Sequence, residues 1–465
     1  MDTIENAVKR EGGLSRKLTA SQMAMISIGG AIGTGLFLGS KFAIGLAGPS
    51  VIISYIIGGV VALLIMGCLA EMTTAQPTSG AFGTYAECYI NPFAGYLVRY
   101  CYWISLVLAV GLEISAVGEY MTYWFPTSAP WFWVAAFSAI LIGVNVASVK
   151  AFGTIEYLFS STKIIAILAF ILVAAYILFA APPAASGFAN YTRHGGFMPN
   201  GSWGMWQAVM VSIFSYLSIE MIAVTAGEAD NPQQAVRRAF WTTIIRLTLF
   251  YLLTLSLMLA LVPWTDIGTG GSPFVKVMEL LGISGGGGIM NFVILIAALS
   301  AMNSQLYTAS RMLFSLSRGG LAPRVFGTIS ARGIPVNALA ISCVGIAIAT
   351  AINVRWPEDA FLTMLSLSSF GAMFTWLMIF VSHYFFRLQW EREGRPVPSF
   401  RFLGFPWLTL LGAFTMVAIM VSTLFSEPFR LTLIAGVPFL VLLSASYPFV
   451  RKRLQTGLVA SANPG

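Results

Sequence analysis

The chain has 465 residues, of which 57% are hydrophobic and only 9% charged, with a formal net charge of +8 and a mean hydropathy of +0.81. A soluble domain carries roughly 25% charged residues, so this composition cannot cover a water-facing surface and excludes a soluble globular protein. It implies a membrane-embedded bundle of helices, because its apolar stretches have the roughly 20-residue length that crosses about 30 Å of hydrocarbon.

Apolar runs bounded by charge, Pro or Gly clusters predict twelve spans, at 20–43, 48–70, 95–124, 131–149, 155–180, 203–226, 238–262, 287–316, 335–353, 360–385, 404–425 and 430–449. The least marked join lies between the first two, at Lys41 to Pro49. With the N-terminus placed in the cytoplasm, nineteen of the 26 Lys and Arg residues fall on the cytoplasmic side. Five fall opposite (Lys41, Arg193, Lys276, Arg355 and Arg430), and Lys163 and Arg246 lie within spans. Such a bias predicts that both termini are cytoplasmic. It also assigns the positive charge to loops facing anionic membrane lipid, with no nucleic-acid partner implied.

No cleavable signal peptide is expected. Residues 1–19 are polar and of mixed charge, and the first span is too long and too Gly-rich for a signal core. The four cysteines (Cys68, Cys88, Cys101, Cys343) have no metal or redox spacing. His194 and His383 stand alone and read as loop or helix-end residues rather than ligands. No metal, cofactor or catalytic residue is therefore expected.

The first span reads Ser27-Ile28-Gly29-Gly30-Ala31-Ile32-Gly33-Thr34-Gly35-Leu36-Phe37. Each mid-helix Gly costs about 1 kcal/mol relative to Ala, and four within seven positions at mid-depth predict unwinding around Gly33-Thr34-Gly35. For Gly29 and Gly30, close packing of helices by small residues is an equal reading. Unwinding frees backbone N–H and C=O groups, which hydrocarbon tolerates only where they line a cavity or meet a ligand. A partner break is expected in the sixth span, at Phe214-Ser215-Tyr216-Leu217-Ser218-Ile219-Glu220, where small polar residues surround an acidic group but no glycine is present.

Two joints resemble each other: Gly80 to Asn91, between spans 2 and 3, and Ser272 to Gly282, between spans 7 and 8, each read as a short amphipathic helix. They occupy equivalent places in two five-span units. The expected organisation is therefore an N-terminal cytoplasmic segment (1–19), a first inverted repeat (20–180, spans 1–5), a second (203–385, spans 6–10), spans 11–12 (404–449) and a cytoplasmic tail (450–465). In this all-α, five-plus-five inverted-repeat arrangement, discontinuous helices 1 and 6 put a substrate at mid-membrane, and rocking of one bundle against the other gives alternating access.

The stretches GGLSRKLTASQMAMISIGGAIGTGLFLG, AGPSVIISYIIGG and AEMTTAQPTSGAFGTYA resemble bacterial amino acid permeases of the amino acid–polyamine–organocation superfamily, in its amino acid transporter branch. EYMTYWFP (119–126), FGTIEYLFSSTKIIAI (152–167), FSYLSIEMIAVTAGEADNP (214–232) and NSQLYTASRMLFSLSRGGLAP (303–323) extend the match over spans 1 to 10. The resemblance implies the leucine-transporter-like inverted-repeat fold, a bacterial cytoplasmic (inner) membrane location and α-amino acid substrates. In most members it also implies coupling to protons rather than sodium.

An amino acid zwitterion needs donors for its carboxylate and acceptors for its ammonium. The amides of Gly33, Thr34 and Gly35, at the start of the second half-helix, are the candidate donors, with the Thr34 hydroxyl in addition. The carbonyls of Ile28, Gly29, Gly30 and Ala31, and those of the Phe214, Ser215, Tyr216 and Leu217 segment, are the candidate acceptors. Phe214 aligns with an aromatic that caps the substrate in related transporters. Ionisable groups at depth are costly enough to count as functional hypotheses, which makes Lys163, Glu113 and Glu220 the proton-coupling candidates. Lys163 resembles the family lysine whose ammonium occupies a sodium site of sodium-coupled relatives; snorkelling to the cytoplasmic face is its other reading. Glu220 matches the acid of the family's sixth-span motif and Glu113 a third-span carboxylate, and either can carry a proton or hydrogen-bond unwound backbone. Glu156 and Glu119 read as structural pairs, while Ser300, Asn303 and Ser304 either line the cavity or bond between helices. Side-chain selectivity is expected from Ile114, Tyr216, Leu217, Met302 and Ser366 to Ser369.

No ring of like charges or carbonyl filter suggests a channel, and no nucleophile–base pair suggests an enzyme. The sequence thus predicts an importer using protons and amino acids. A proton symporter is the first reading; an exchanger, or a carrier of cationic amino acids or of the γ-aminobutyrate type, is the alternative. Oligomeric state is not legible.

Overall fold

The computed structural model describes residues 20–78, 80–147, 149–183, 186–226, 232–267, 271–356 and 360–462. The expected cytoplasmic segment 1–19 and the end of the tail lie outside the described residues, as does the GEADN part of the sixth-span motif. Among the described residues the chain is helical, with no strand. Nine helices are long and apolar enough to cross a membrane, and two shorter apolar ones lie at Leu247–Leu261 and Val336–Ile352.

The first expected span is in pieces. Helix α1 (Ala20–Ala31) ends at Ile32–Gly33, a single turn α2 (Thr34–Phe37) resumes, and α3 (Gly39–Ala47) leads into α4 (Val51–Ala75). Gly33 leaves helical geometry at φ −129° and ψ −150°. A Cβ at this position would stand 2.7 Å from Glu113 Oε1 and 2.8 Å from the Ala301 Cβ, so the break also needs the smallest residue for space. Gly29 instead stays helical and serves close packing: a Cβ there would lie 2.0 Å from Glu156 Oε1.

Both joints are short helices, α5 (Ala81–Tyr89) after α4 and, later, α12 (Pro273–Leu280). Arg99 Nη1 reaches Glu87 at 2.8 Å and its Nη2 donates to Thr84 at 2.9 Å, tying α5 to α6 (Pro92–Thr122). Helix α6 begins where it does because Asn91 caps it, its side chain accepting from the Ala94 N–H at 2.8 Å, and Pro92 takes the first position. Helix α12 likewise opens on a proline, and Ser272 before it donates to the Phe37 carbonyl at 2.7 Å, tethering it to the end of α2.

Next come α7 (Pro130–Ala147), α8 (Val149–Ala180), α9 (Gly201–Tyr216), α10 (Met221–Ala226) and α11 (Pro232–Leu261). After α12 follow α13 (Gly286–Arg318), α14 (Val336–Ser342), α15 (Val344–Arg355), α16 (Ala360–Arg392), α17 (Trp407–Ser422) and α18 (Leu431–Ala462). The most extensive packing is of α6 against α13 and α16, so these helices form the centre. Helices α7, α8, α17 and α18 show far more apolar surface; Leu172, Phe179, Phe414 and Leu442 are exposed. This is the pattern of helices facing lipid, where exposed leucine and phenylalanine carry no penalty.

His383 departs from expectation. It is not a loop or helix-end residue but sits, fully buried, inside α16. Its Nε2 lies 3.0 Å from Glu71 of α4 and its Nδ1 3.1 Å from the Thr409 hydroxyl of α17. Arg387, one turn further along α16, places Nε 3.2 Å from the same carboxylate, which also accepts the Phe402 N–H at 2.9 Å. Three helices and a loop thus share one buried carboxylate. A lone histidine in a sequence gives no sign of a partner more than three hundred residues away.

Candidate functional site

The two breaks face each other. Helix α9 ends at Tyr216, Leu217 is extended (φ −57°, ψ 157°), and Ser218 takes a left-handed conformation at φ 80° before α10 begins at Met221. A non-glycine residue there costs about 1–2 kcal/mol, and a carboxylate offsets it. Glu220 accepts the Ser218 N–H at 3.1 Å, the Tyr102 hydroxyl at 2.6 Å and the Trp376 indole N–H at 3.0 Å. The sixth-span acid is therefore fully buried and holds the break open from α10's side.

A cation and another carboxylate hold the first break. The Lys163 ammonium, fully buried on α8, donates to the carbonyls of Gly29 at 2.6 Å and Ile32 at 2.9 Å. It therefore does not snorkel; it supplies the donors that the end of α1 lost by unwinding. Across the gap, Glu113 on α6 accepts the Thr34 N–H at 3.2 Å. One helical face of α8 also carries Glu156 and Ser160. Glu156 is fully buried and accepts from Ser160 at 3.2 Å, from Asn303 at 3.0 Å and from Ser300. Ser160 in turn donates to the Met25 carbonyl at 2.9 Å. The expected structural pairing of Glu156 is thus with hydroxyls and an amide rather than with a cation. Glu119 is exposed.

Between the breaks lies a cavity of about 20 Å³, room for roughly one water. Gly30, Ala31, Gly33 and Gly35 line it from the first break and Phe214, Leu217, Ser218 and Glu220 from the second. Glu113 with Tyr102, Ser105, Leu106 and Ala109 closes it from α6, Gln305 from α13, and Ser368 and Ala372 from α16.

Most of the sequence candidates meet here, in different parts. Gly30, Ala31, Gly33, Gly35, Phe214, Leu217, Glu113 and Glu220 line the cavity. Thr34 stands beside it through its N–H to Glu113. Lys163 lies behind it, against the α1 carbonyls. Ser215 donates to the Gly35 carbonyl at 2.9 Å and lies 3.0 Å from the Tyr55 hydroxyl, joining the two breaks from the rear. Tyr216 packs among Tyr55 and Tyr251 and does not line the cavity. The backbone of Ile28 is within α1, and its side chain is outside the described ones. Of the expected selectivity residues, Leu217 and Ser368 line the cavity, whereas Ile114 and Met302 are buried elsewhere. Ser300 and Asn303 bond to Glu156 and Ser304 to the Ile26 carbonyl, so all three act between helices.

Two of the four carbonyls proposed for an ammonium already have protein donors: Gly29 from Lys163, and Ala31 from Tyr251. Sequence reasoning missed Tyr251. Its hydroxyl, on α11, lies 3.0 Å from the Ala31 carbonyl and 2.8 Å from that of Ser215, sharing one proton between the two broken helices. A tyrosine within an apolar span reads as core, and no sequence signal separates this one from the other fifteen. Gln305, Tyr102 and Trp376 were missed for the same reason.

Two interrupted helices enclosing one small, mixed polar and apolar cavity inside a multi-pass helical bundle define a membrane transport protein. The family model for amino acid permeases matches residues 22–454, nearly the whole sequence. The chain belongs to the amino acid permease family, within the amino acid–polyamine–organocation superfamily. It is 37% identical over 443 residues to the uncharacterized amino acid permease YtnA of Bacillus subtilis (strain 168), covering 94% of this chain and 96% of that one. It is 36% identical to the gamma-aminobutyric acid permease of the same organism, over 98% of this chain and 97% of the relative. To the aromatic amino acid transport protein AroP of Escherichia coli O6:H1 it is 36% identical, over 94% and 96% of the two chains.

Proposed function

We propose that the chain is a secondary active transporter that imports amino acids across the bacterial cytoplasmic membrane by proton symport. In this reading it crosses the membrane twelve times, with both termini cytoplasmic and two inverted five-helix repeats (20–180 and 203–385). The observation that carries it is the single cavity lined by both helix breaks, with free backbone groups on each side and Glu113 within it. A zwitterion is recognised there through its shared α-groups: its carboxylate by the amides of Gly33, Thr34 and Gly35, its ammonium by the Gly30 carbonyl and those of the Phe214–Leu217 segment.

The Thr34 amide is now held by Glu113. A substrate carboxylate arriving there competes with Glu113, and protonation of Glu113 releases the amide. That exchange links a proton to the amino acid in the same movement. Lys163 lies beyond the carbonyls of the same break and relays the change in α1 to α8. The cavity's small volume means that a substrate enters only as the helices part, as alternating access requires.

Purified protein in proteoliposomes tests this reading. Labelled amino acid accumulates against its gradient under an inward proton force with no amino acid inside. Accumulation that needs internal amino acid, and ignores the proton force, contradicts symport and makes the chain an exchanger. No uptake of any amino acid under either condition contradicts the transport reading.

A further inference from the structure

The cavity contains one amide whose chemistry the α-groups of a substrate do not use. Gln305 lies on α13, is only 4% exposed and lines the cavity opposite the α6 and α16 residues. Its Oε1 is enclosed and has no hydrogen-bond partner among the described residues. The polar side chains around it are committed elsewhere. Tyr102 donates to Glu220 at 2.6 Å, Ser105 to the Ser368 carbonyl at 2.6 Å, and the Ser368 hydroxyl to the Leu365 carbonyl at 3.1 Å. Glu113 faces the same space while it accepts the Thr34 N–H. The rest of the wall near Gln305 is apolar and small: Leu106, Ala109, Leu217 and Ala372.

A buried acceptor without a donor is costly, and its burial is compensated only by a partner that enters with the ligand. A carboxamide accepts at its oxygen and donates at its nitrogen, so it pairs reciprocally with another carboxamide and singly with a hydroxyl. An aliphatic or aromatic side chain pressed against it would leave Oε1 unpaired, the situation in which a polar site rejects an apolar isostere most strongly.

We infer that Gln305 is a specificity-determining residue that hydrogen-bonds the substrate's side chain, so the carried amino acids are uncharged and polar, with a carboxamide or hydroxyl. The inference rests on the transport reading above and adds the substrate class to it. The small wall residues limit the length of that side chain, and Gln305 itself occupies volume that a bulky ring would need.

The test is uptake by the full-length protein in proteoliposomes of labelled near-isosteric pairs: glutamine and methionine, asparagine and leucine, threonine and valine. For the wild type, uptake efficiency of each polar member exceeds that of its apolar counterpart by about tenfold or more. In Gln305→Leu that ratio falls at least tenfold, through a rise in the KM of the polar member. In Gln305→Asn, which keeps the amide, the preference for polar side chains persists. A wild type that carries the apolar members equally well overturns the inference, and this arm needs no variant to fold. A ratio unchanged in Gln305→Leu, with uptake still measurable, also overturns it while leaving amino acid transport intact. Uptake of no amino acid at all overturns the transport reading and this inference together.

Discussion

The two helix breaks solve one problem in opposite ways. At the first, the residues themselves make unwinding cheap. Gly33 has no side chain to collide with Glu113 or Ala301, and the freed carbonyls of Gly29 and Ile32 meet the Lys163 ammonium. At the second there is no glycine. Ser218 is held at φ 80° by a carboxylate two residues on, which Tyr102 and Trp376 fix in turn. A break can thus be written into the chain as permissive residues, or imposed by a buried partner that outweighs local strain. Only the first kind is visible in a sequence.

The largest effect is expected at the charge holding the first break. Lys163→Met leaves two buried carbonyls without donors and is expected to destabilise the protein by about 3–5 kcal/mol, read as a large fall in melting temperature in detergent and a collapse of uptake. A variant that melts like the wild type would show that the carbonyls find other partners.

At the second break, Glu220→Ala removes the acceptor for three donors and is expected to cost about 3 kcal/mol. Glu220→Gln keeps an oxygen for the Ser218 N–H and is expected to cost about 1 kcal/mol. If the two variants lose uptake equally while Glu220→Gln melts normally, a proton on Glu220, rather than its hydrogen bonds, is what transport needs.

The contrast sharpens further in a pair of opposite changes. Gly33→Ala must push aside a carboxylate and a neighbouring methyl and is expected to destabilise by about 2 kcal/mol. Ser218→Gly relieves a left-handed backbone and is expected to stabilise by up to about 1 kcal/mol. Melting shifts of the same sign for both variants would break the comparison. The smallest effect belongs to Tyr251→Phe, which removes the shared hydroxyl between the breaks and is expected to cost about 1 kcal/mol, again read by melting in detergent.

Much of the architecture was legible because membrane helices advertise themselves. The apolar runs, both joint helices and the pieces of the first span follow from length, hydropathy and glycine. The long eighth-span motif containing Asn303 and Ser304 was legible as buried polar chemistry, but its partner was not: Glu156 read as an end-of-span pair, and only packing brings it to these residues. The same holds for the sixth-span break, where Glu220's donors come from α6 and α16, more than a hundred residues away in each direction. Tyr216 read as a pocket residue because the motif around it is one, yet its ring turns away into a tyrosine cluster. Period and composition say that a residue is buried at depth; they do not say which way it points.

The central claim is that amino acids bind in the cavity between the two breaks. A cysteine placed at Ala109, on the cavity wall, and labelled with a small thiol reagent in membrane vesicles tests it most directly. The account predicts that every transported amino acid slows labelling of Ala109→Cys, with half-protection near its KM for uptake. A labelling rate unchanged by saturating substrate, in a variant that still transports, would contradict it.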